Sequence, residues 1–128
     1  MTTRVLALHC MSERFVIARF PADAAVSFDE LPGPFVSVTR TGDETSVICG
    51  EGPLDAAQCV DEGWRCLALR GPFAFEESGI LASLAKCLAD EGIGVMAICT
   101  YDTDYLFVKE SNLEGAMGAL RRGGHQVE

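Results

Sequence analysis

The sequence predicts an α+β fold, an antiparallel sheet with two helices on one face, and three observations predict it. From residue 64 onward, apolar runs and turn residues alternate in the order strand, helix, strand, strand, helix, strand. Two segments of that half repeat apolar residues at helical spacing, which gathers them on one side of a helix. The first half has short apolar runs broken by turn residues and a proline-rich stretch, which reads as strands and loop.

Taken in order, residues 4–9 and 14–20 are apolar-rich strands, expected to form a hairpin across Cys10-Met11-Ser12-Glu13. Residues 35–40 and 45–49 flank Thr41-Gly42-Asp43-Glu44, a second hairpin signal. Between these pairs, residues 21–34 hold three prolines and one glycine, so a loop is expected, with a helical turn near residues 23–26. Residues 54–60 follow Pro53 and suit a brief helix, which Gly63 would end before Trp64 opens a strand over residues 64–70.

Gly71-Pro72 breaks that strand, and residues 79–91 read as a helix with Leu81, Leu84, Ala85 and Leu88 on its apolar face. Gly92 and Gly94 suit its C-terminal stop, and residues 95–100 follow as a buried strand. Tyr101-Asp102-Thr103-Asp104 supplies turn chemistry, and residues 105–109 return as a strand rich in aromatic and branched side chains. Ser111 and Glu114 have the spacing of a capping box, opening a second helix with Leu113, Ala116, Met117 and Leu120 as its stripe. Arg121 and Arg122 suit the negative end of its dipole, Gly123-Gly124 stops it, and residues 125–127 form a last short strand.

Composition sets the bounds. A chain of 128 residues that is 48% hydrophobic supports one compact domain or two small units sharing a core. Its net charge of -9 repels phosphate backbones, so nucleic acid is not an expected partner. The first residues carry too short an apolar run for a secretory signal or a membrane span, so no membrane is expected and the protein is expected to be cytoplasmic. Cys10, Cys49, Cys59, Cys66, Cys87 and Cys99 are scattered without a CxxC pair or zinc-site spacing, and most lie in apolar runs. Core packing is their expected role, with no metal and no cofactor. His9 and His125 stand far apart, without a third ligand or a nucleophile beside them, so structural roles are expected. No segment carries a catalytic motif, and the chain is read as not an enzyme.

The order from residue 64 is the split βαβ pattern of a ferredoxin-like sandwich. Its strands are apolar at both parities, as in Val95, Met96, Ala97 and Ile98, so the face away from the helices is expected to be covered by the first half or by another chain. A homodimer or higher oligomer is therefore expected. A composition shift near Gly63 divides the chain into residues 1–62, with ten acidic and four basic residues, and residues 63–128, with nine and six.

This order, with SGILASLAKCLADEGIGV and the following TYDTDYLFVKE, resembles the ACT domain family of small-molecule regulatory modules. More narrowly it is similar to aspartokinase-like ACT proteins, the branch that includes the free-standing cytosolic arginine sensors known as CASTOR. The likeness is good across residues 64–127 and loose across residues 1–62. It implies two ACT-like units in tandem, a reduced β-rich one over residues 1–62 and a complete one over 63–128. It also implies an amino acid bound where a helix start of one unit meets a neighbouring unit. Carried over by position, the implied ligand-binding residues are Glu77, Ser78, Gly79, Ile80 and Leu81 at the helix start, with Thr100 and Asp104 around the turn.

Physical reasons stand beside the resemblance. A helix start offers unpaired N–H groups and a positive dipole end, so Gly79 and Ile80 suit a ligand carboxylate. Asp104 and Glu77 suit an ammonium or guanidinium, so arginine and lysine are among the expected ligands. The residues also have plain readings. Ser78 and Gly79 fit a helix cap, Glu76 and Glu77 a solvated first turn, and Asp102 and Asp104 a turn without a ligand. Phe73 and Phe75 alternate and suit either the pocket edge or the core. The alternative function is accordingly a non-enzymatic oligomerisation or protein-interaction module that binds no ligand.

Overall fold

The computed structural model describes residues 4–74 and 77–128, which fall into two compact units. Phe75 and Glu76 lie outside the described residues. The larger unit joins the N-terminal residues up to Ser12 with residues 65–128, and the smaller comprises residues 13–64. The described strands are β1 (Ala7–Phe20), β2 (Ser37–Arg40), β3 (Thr45–Gly50), β4 (Cys59–Leu69), β5 (Met96–Cys99), β6 (Asp104–Lys109) and β7 (Gln126–Val127). The α-helices are α1 (Ile80–Ala89) and α2 (Leu113–Arg122).

The larger unit is the ferredoxin-like α+β sandwich expected from the sequence. Its strands run in the order β7, first part of β1, last part of β4, β6, β5, with β6 and β5 antiparallel and β7 parallel to β1. One parity of these strands gives Leu8, Leu67, Leu69, Leu106, Val108 and Val127, which with Leu6 form a single apolar cluster with Leu84 and Leu88 of α1 and Ala116, Ala119 and Leu120 of α2. Both helices thus cover the same face, because their apolar residues recur at helical spacing while those of the strands alternate. Each leucine fully removed from water contributes roughly 1.5–3 kcal/mol.

Several expectations are corrected here. Residues 4–20 form no hairpin at Cys10 to Glu13, because Cys-Met-Ser-Glu has no glycine, proline or asparagine to set a tight turn and the backbone finds partners on both sides. Cys10 N–H donates to Glu128 O at 2.7 Å, and Arg14 O accepts from Glu51 N–H at 3.2 Å. The last strand, β7, pairs with Ala7 and Leu8. The larger unit's sheet therefore includes an N-terminal strand segment that the sequence reading had placed in residues 1–62. Gly63 is no helix stop but lies inside β4 with φ 80°, a backbone conformation that glycine adopts without strain. The capping box is absent: Ser111 falls within a 3-10 turn at Glu110–Asn112, and α2 is capped by Asn112 without a side-chain bond. The face away from the helices, expected to be covered, has its central residues Cys66, Ala68 and Phe107 buried.

His125 is a buried polar side chain of this unit, 5% exposed. Its Nδ1 accepts the Leu6 N–H at 3.1 Å, so the neutral ring carries its proton on Nε2, which faces Ser83 Oγ at 3.4 Å. A protonated Nε2 cannot take the serine proton, so the pair is a structural contact rather than a nucleophile and its base. Burial pushes the imidazole below its ordinary value. As pH falls through about 6.5, the unfolded chain gains a proton that the folded chain refuses, so this group's contribution to stability declines until the lowered folded value is passed. Urea titrations between about pH 8 and 5 should show wild type losing more stability on acidification than His125→Asn. Parallel pH profiles would count against this account.

In the smaller unit, β2 and β3 form the expected hairpin, with Arg40 opposite Thr45, and β3 pairs antiparallel with the last part of β1. Val16, Ala18 and Phe20 of β1 meet Val47 and Cys49 of β3 in its core. The helix expected at residues 54–60 does not form. So short a helix is marginal without tertiary support, and the sheet takes the chain instead: Gln58 N–H donates to Arg19 O at 2.8 Å and β4 begins at Cys59. The helical turn expected near residues 23–26 appears later, as a 3-10 turn at Phe28–Glu30.

Candidate functional site

A cleft of about 210 Å³ lies in the larger unit between the approach to α1 and the β5–β6 turn. Phe73, Ala74, Glu77 and Ile80 line the first side, and residues 99–104 the second. The turn is closed locally. Cys99 pairs with Asp104, Thr100 N–H donates to Thr103 O at 2.8 Å, and Thr103 N–H donates to Thr100 Oγ1 at 3.3 Å. Two further bonds anchor it to the segment after β4: Phe73 N–H donates to Asp102 O at 2.9 Å, and Thr103 Oγ1 donates to Leu69 O at 3.0 Å. Gly71 permits this crossing, because a Cβ there would stand 2.8 Å from Asp102 O.

On the helix side, Gly79 is the N-cap of α1 at φ 83°, with open space where a Cβ would point. Its O accepts Ser83 N–H at 2.9 Å, starting the helix. The Glu77 carboxylate is held from outside the cleft. Arg4 Nη1 lies 2.5 Å from Glu77 Oε2, and the Arg4 guanidinium sits 4.9 Å from the centre of the Phe73 ring. Within the cleft, the Cys99 thiol hydrogen bonds to half-buried Asp104. That bond, partial burial and the carboxylate charge together push the thiol above its ordinary value.

Of the seven residues implied by the resemblance, Glu77, Ile80, Thr100 and Asp104 come together around this cleft. Ser78, Gly79 and Leu81 do not line it; Gly79 caps the helix and Leu81 packs against the leucine core. The sequence reading took Asp102 as a turn residue and Cys99 as core packing, whereas both line the cleft and Cys99 is exposed. Strand pairing was the missed signal, since a turn over residues 100–103 sets residue 99 opposite 104. Among the described residues, no group of His, Cys, Asp and Glu is placed to hold a metal ion. No helix of the described residues is long and apolar enough to cross a membrane.

The larger unit thus combines an antiparallel sheet, two helices on one face and a small cleft beside a helix start. A family model described as the ACT domain matches residues 60–122. The chain is similar to protein Atu0741 from Agobacterium tumefaciens, at 37% identity and TM-score 0.88 over 98% of this chain and 94% of that one. It also resembles a crystal structure of aspartokinase alpha and beta subunits, at 15% identity and TM-score 0.67 over 94% of this chain and 99% of that one. A third likeness is to Clostridium acetobutylicum aspartate kinase, at 11% identity and TM-score 0.69, covering 96% of this chain and 35% of the kinase. The two kinase likenesses are of fold alone. The chain belongs to the ACT domain family, whose members are generally regulatory domains that bind small molecules, amino acids above all.

Proposed function

We propose that this protein is a regulatory module that binds an amino acid in the cleft between the start of α1 and the β5–β6 turn. The observation that carries the reading is the pairing of opposite electrostatic features across about 210 Å³. Asp102 and Asp104 lie on one side, and the first turn of α1, whose N–H groups have no partner within the helix, lies on the other. A zwitterion matches that arrangement, carboxylate toward the helix start and ammonium toward Asp104. The volume falls below the roughly 300–1,000 Å³ of drug-sized sites, which suits a small polar molecule. The reduced ACT-like unit that the sequence places over residues 1–62 is proposed to correspond to the smaller unit, residues 13–64. The family is regulatory, and binding without catalysis is the role proposed for the chain. All six cysteines are free thiols, in keeping with a reducing compartment such as the cytoplasm.

Thermal shift and calorimetric titration against the twenty amino acids test the reading. A ligand that binds only the folded state adds about 2.7 kcal/mol of stability at a hundred times its Kd, a readily measured rise in midpoint. A flat response to every amino acid at millimolar concentration would sink it.

The interaction-module reading is favoured by one observation of its own. β5 ends the strand order of the larger unit, and its residues Met96, Ala97, Ile98 and Cys99 carry no charge that would discourage pairing with another strand. A second copy joined along β5 would stand next to the cleft, since Cys99 belongs to both, and would form a unit interface around the ligand. Light scattering should then report a dimer at micromolar protein, and a monomeric mass that persists at higher concentration would count decisively against it.

A further inference from the structure

We propose that Arg4 sets the ligand specificity of the cleft by occupying the two groups that would otherwise hold a cationic side chain, the Glu77 carboxylate and the Phe73 ring. The inference rests on the ligand-binding reading above. A guanidinium is recognised by a carboxylate in hydrogen-bonding range and by a π face, and Arg4 has both, at 2.5 Å and 4.9 Å. Phe73 and Glu77 line the cleft, whereas Arg4 grips them without lining it. Three acidic residues line the cleft, Glu77, Asp102 and Asp104. Arg4 neutralises the first, which leaves the two aspartates on the turn side. What remains suits one positive charge, the ligand's own α-ammonium, followed by an uncharged side chain. A lysine or arginine ligand has to compete with Arg4 for Glu77 and Phe73.

The ion pair is solvent-accessible, with Arg4 55% and Glu77 36% exposed. Exposed pairs of this kind contribute little to folding, so Arg4 can be removed without unfolding the chain. The decisive comparison uses ligand pairs of nearly equal shape and different charge, arginine with citrulline and lysine with norleucine. They are titrated by calorimetry into wild type, Arg4→Ala and Arg4→Ala/Glu77→Gln, each verified as folded by circular dichroism. Arg4→Ala is expected to tighten arginine and lysine about fivefold while citrulline and norleucine change less than about twofold. The gain should shrink at high salt and disappear in the double variant, because it depends on the freed Glu77 charge. Equal shifts for both members of a pair, or no shift at all, overturn the role of Arg4 while leaving the site standing. Failure of every variant and of wild type to bind these ligands or any of the twenty amino acids overturns the site reading, and the Arg4 proposal with it.

Discussion

Asp104→Ala is expected to weaken amino-acid binding about ten- to hundredfold, the loss of a hydrogen bond to a charged group worth about 1.5–3 kcal/mol. Asp104 begins β6, half-buried, with its side chain at the cleft and its backbone held in register opposite Cys99. The strand places it whether or not the carboxylate is present, so the substitution removes the charge and leaves the turn closed by Thr100 and Thr103. A second readout comes from Cys99. Its thiol is held above its ordinary value first by the hydrogen bond to Asp104. In the variant the thiolate forms at lower pH, and Cys99, which is exposed, should react faster with a maleimide by site-resolved mass spectrometry. Unchanged affinity together with faster Cys99 labelling would show that Asp104 faces the thiol but no ligand, and the interaction-module reading would take its place.

Gly33→Val is expected to destabilise the fold by about 3 kcal/mol, from two costs that add. Gly33 has φ 97°, in a region that costs a side chain with a Cβ about 1–2 kcal/mol. A Cβ there would also lie 2.8 Å from both Cα and N of Gly50, backbone atoms at the end of β3 that cannot rotate aside, and overpacking of this kind costs about 1–3 kcal/mol. The two glycines meet because Gly50 N–H donates to Pro32 O at 2.8 Å, which draws the loop against the strand. Gly42→Ala is the control. It sits in the β2–β3 turn with open space around a Cβ, and should stay within about 0.5 kcal/mol of wild type. Urea midpoints at constant m-value measure both, and a Gly33→Val midpoint equal to that of Gly42→Ala would contradict the close approach.

The sequence by itself determined the features whose causes are local. The helical spacing of Leu84 and Leu88, and of Ala116 and Leu120, identified α1 and α2, because a period near 3.6 is written within a dozen residues. The turn at residues 41–44 and the strand pair around residues 100–103 were legible for the same reason, and with the strand order they pointed to the ACT family. Tertiary structure alone decided what depends on distant partners. β1 runs unbroken through Cys10 because Glu128 and Glu51 take up its backbone groups, and no property of residues 10–13 announces either. Residues 54–60 had the pattern of a helix, but a segment so short follows whichever partner offers backbone bonds, and the sheet did. The cleft divides along the same line. Thr100 and Asp104 were found from a turn and its flanking strand, whereas Cys99 and Asp102 became visible only through the pairing register and the crossing at Gly71. Arg4 meets Glu77 across 73 positions of sequence, because the N-terminal strand segment adds to the sheet of the C-terminal half. Side-chain charge and periodicity are properties of a segment; which carboxylate is left free to meet a ligand is a property of the folded neighbourhood.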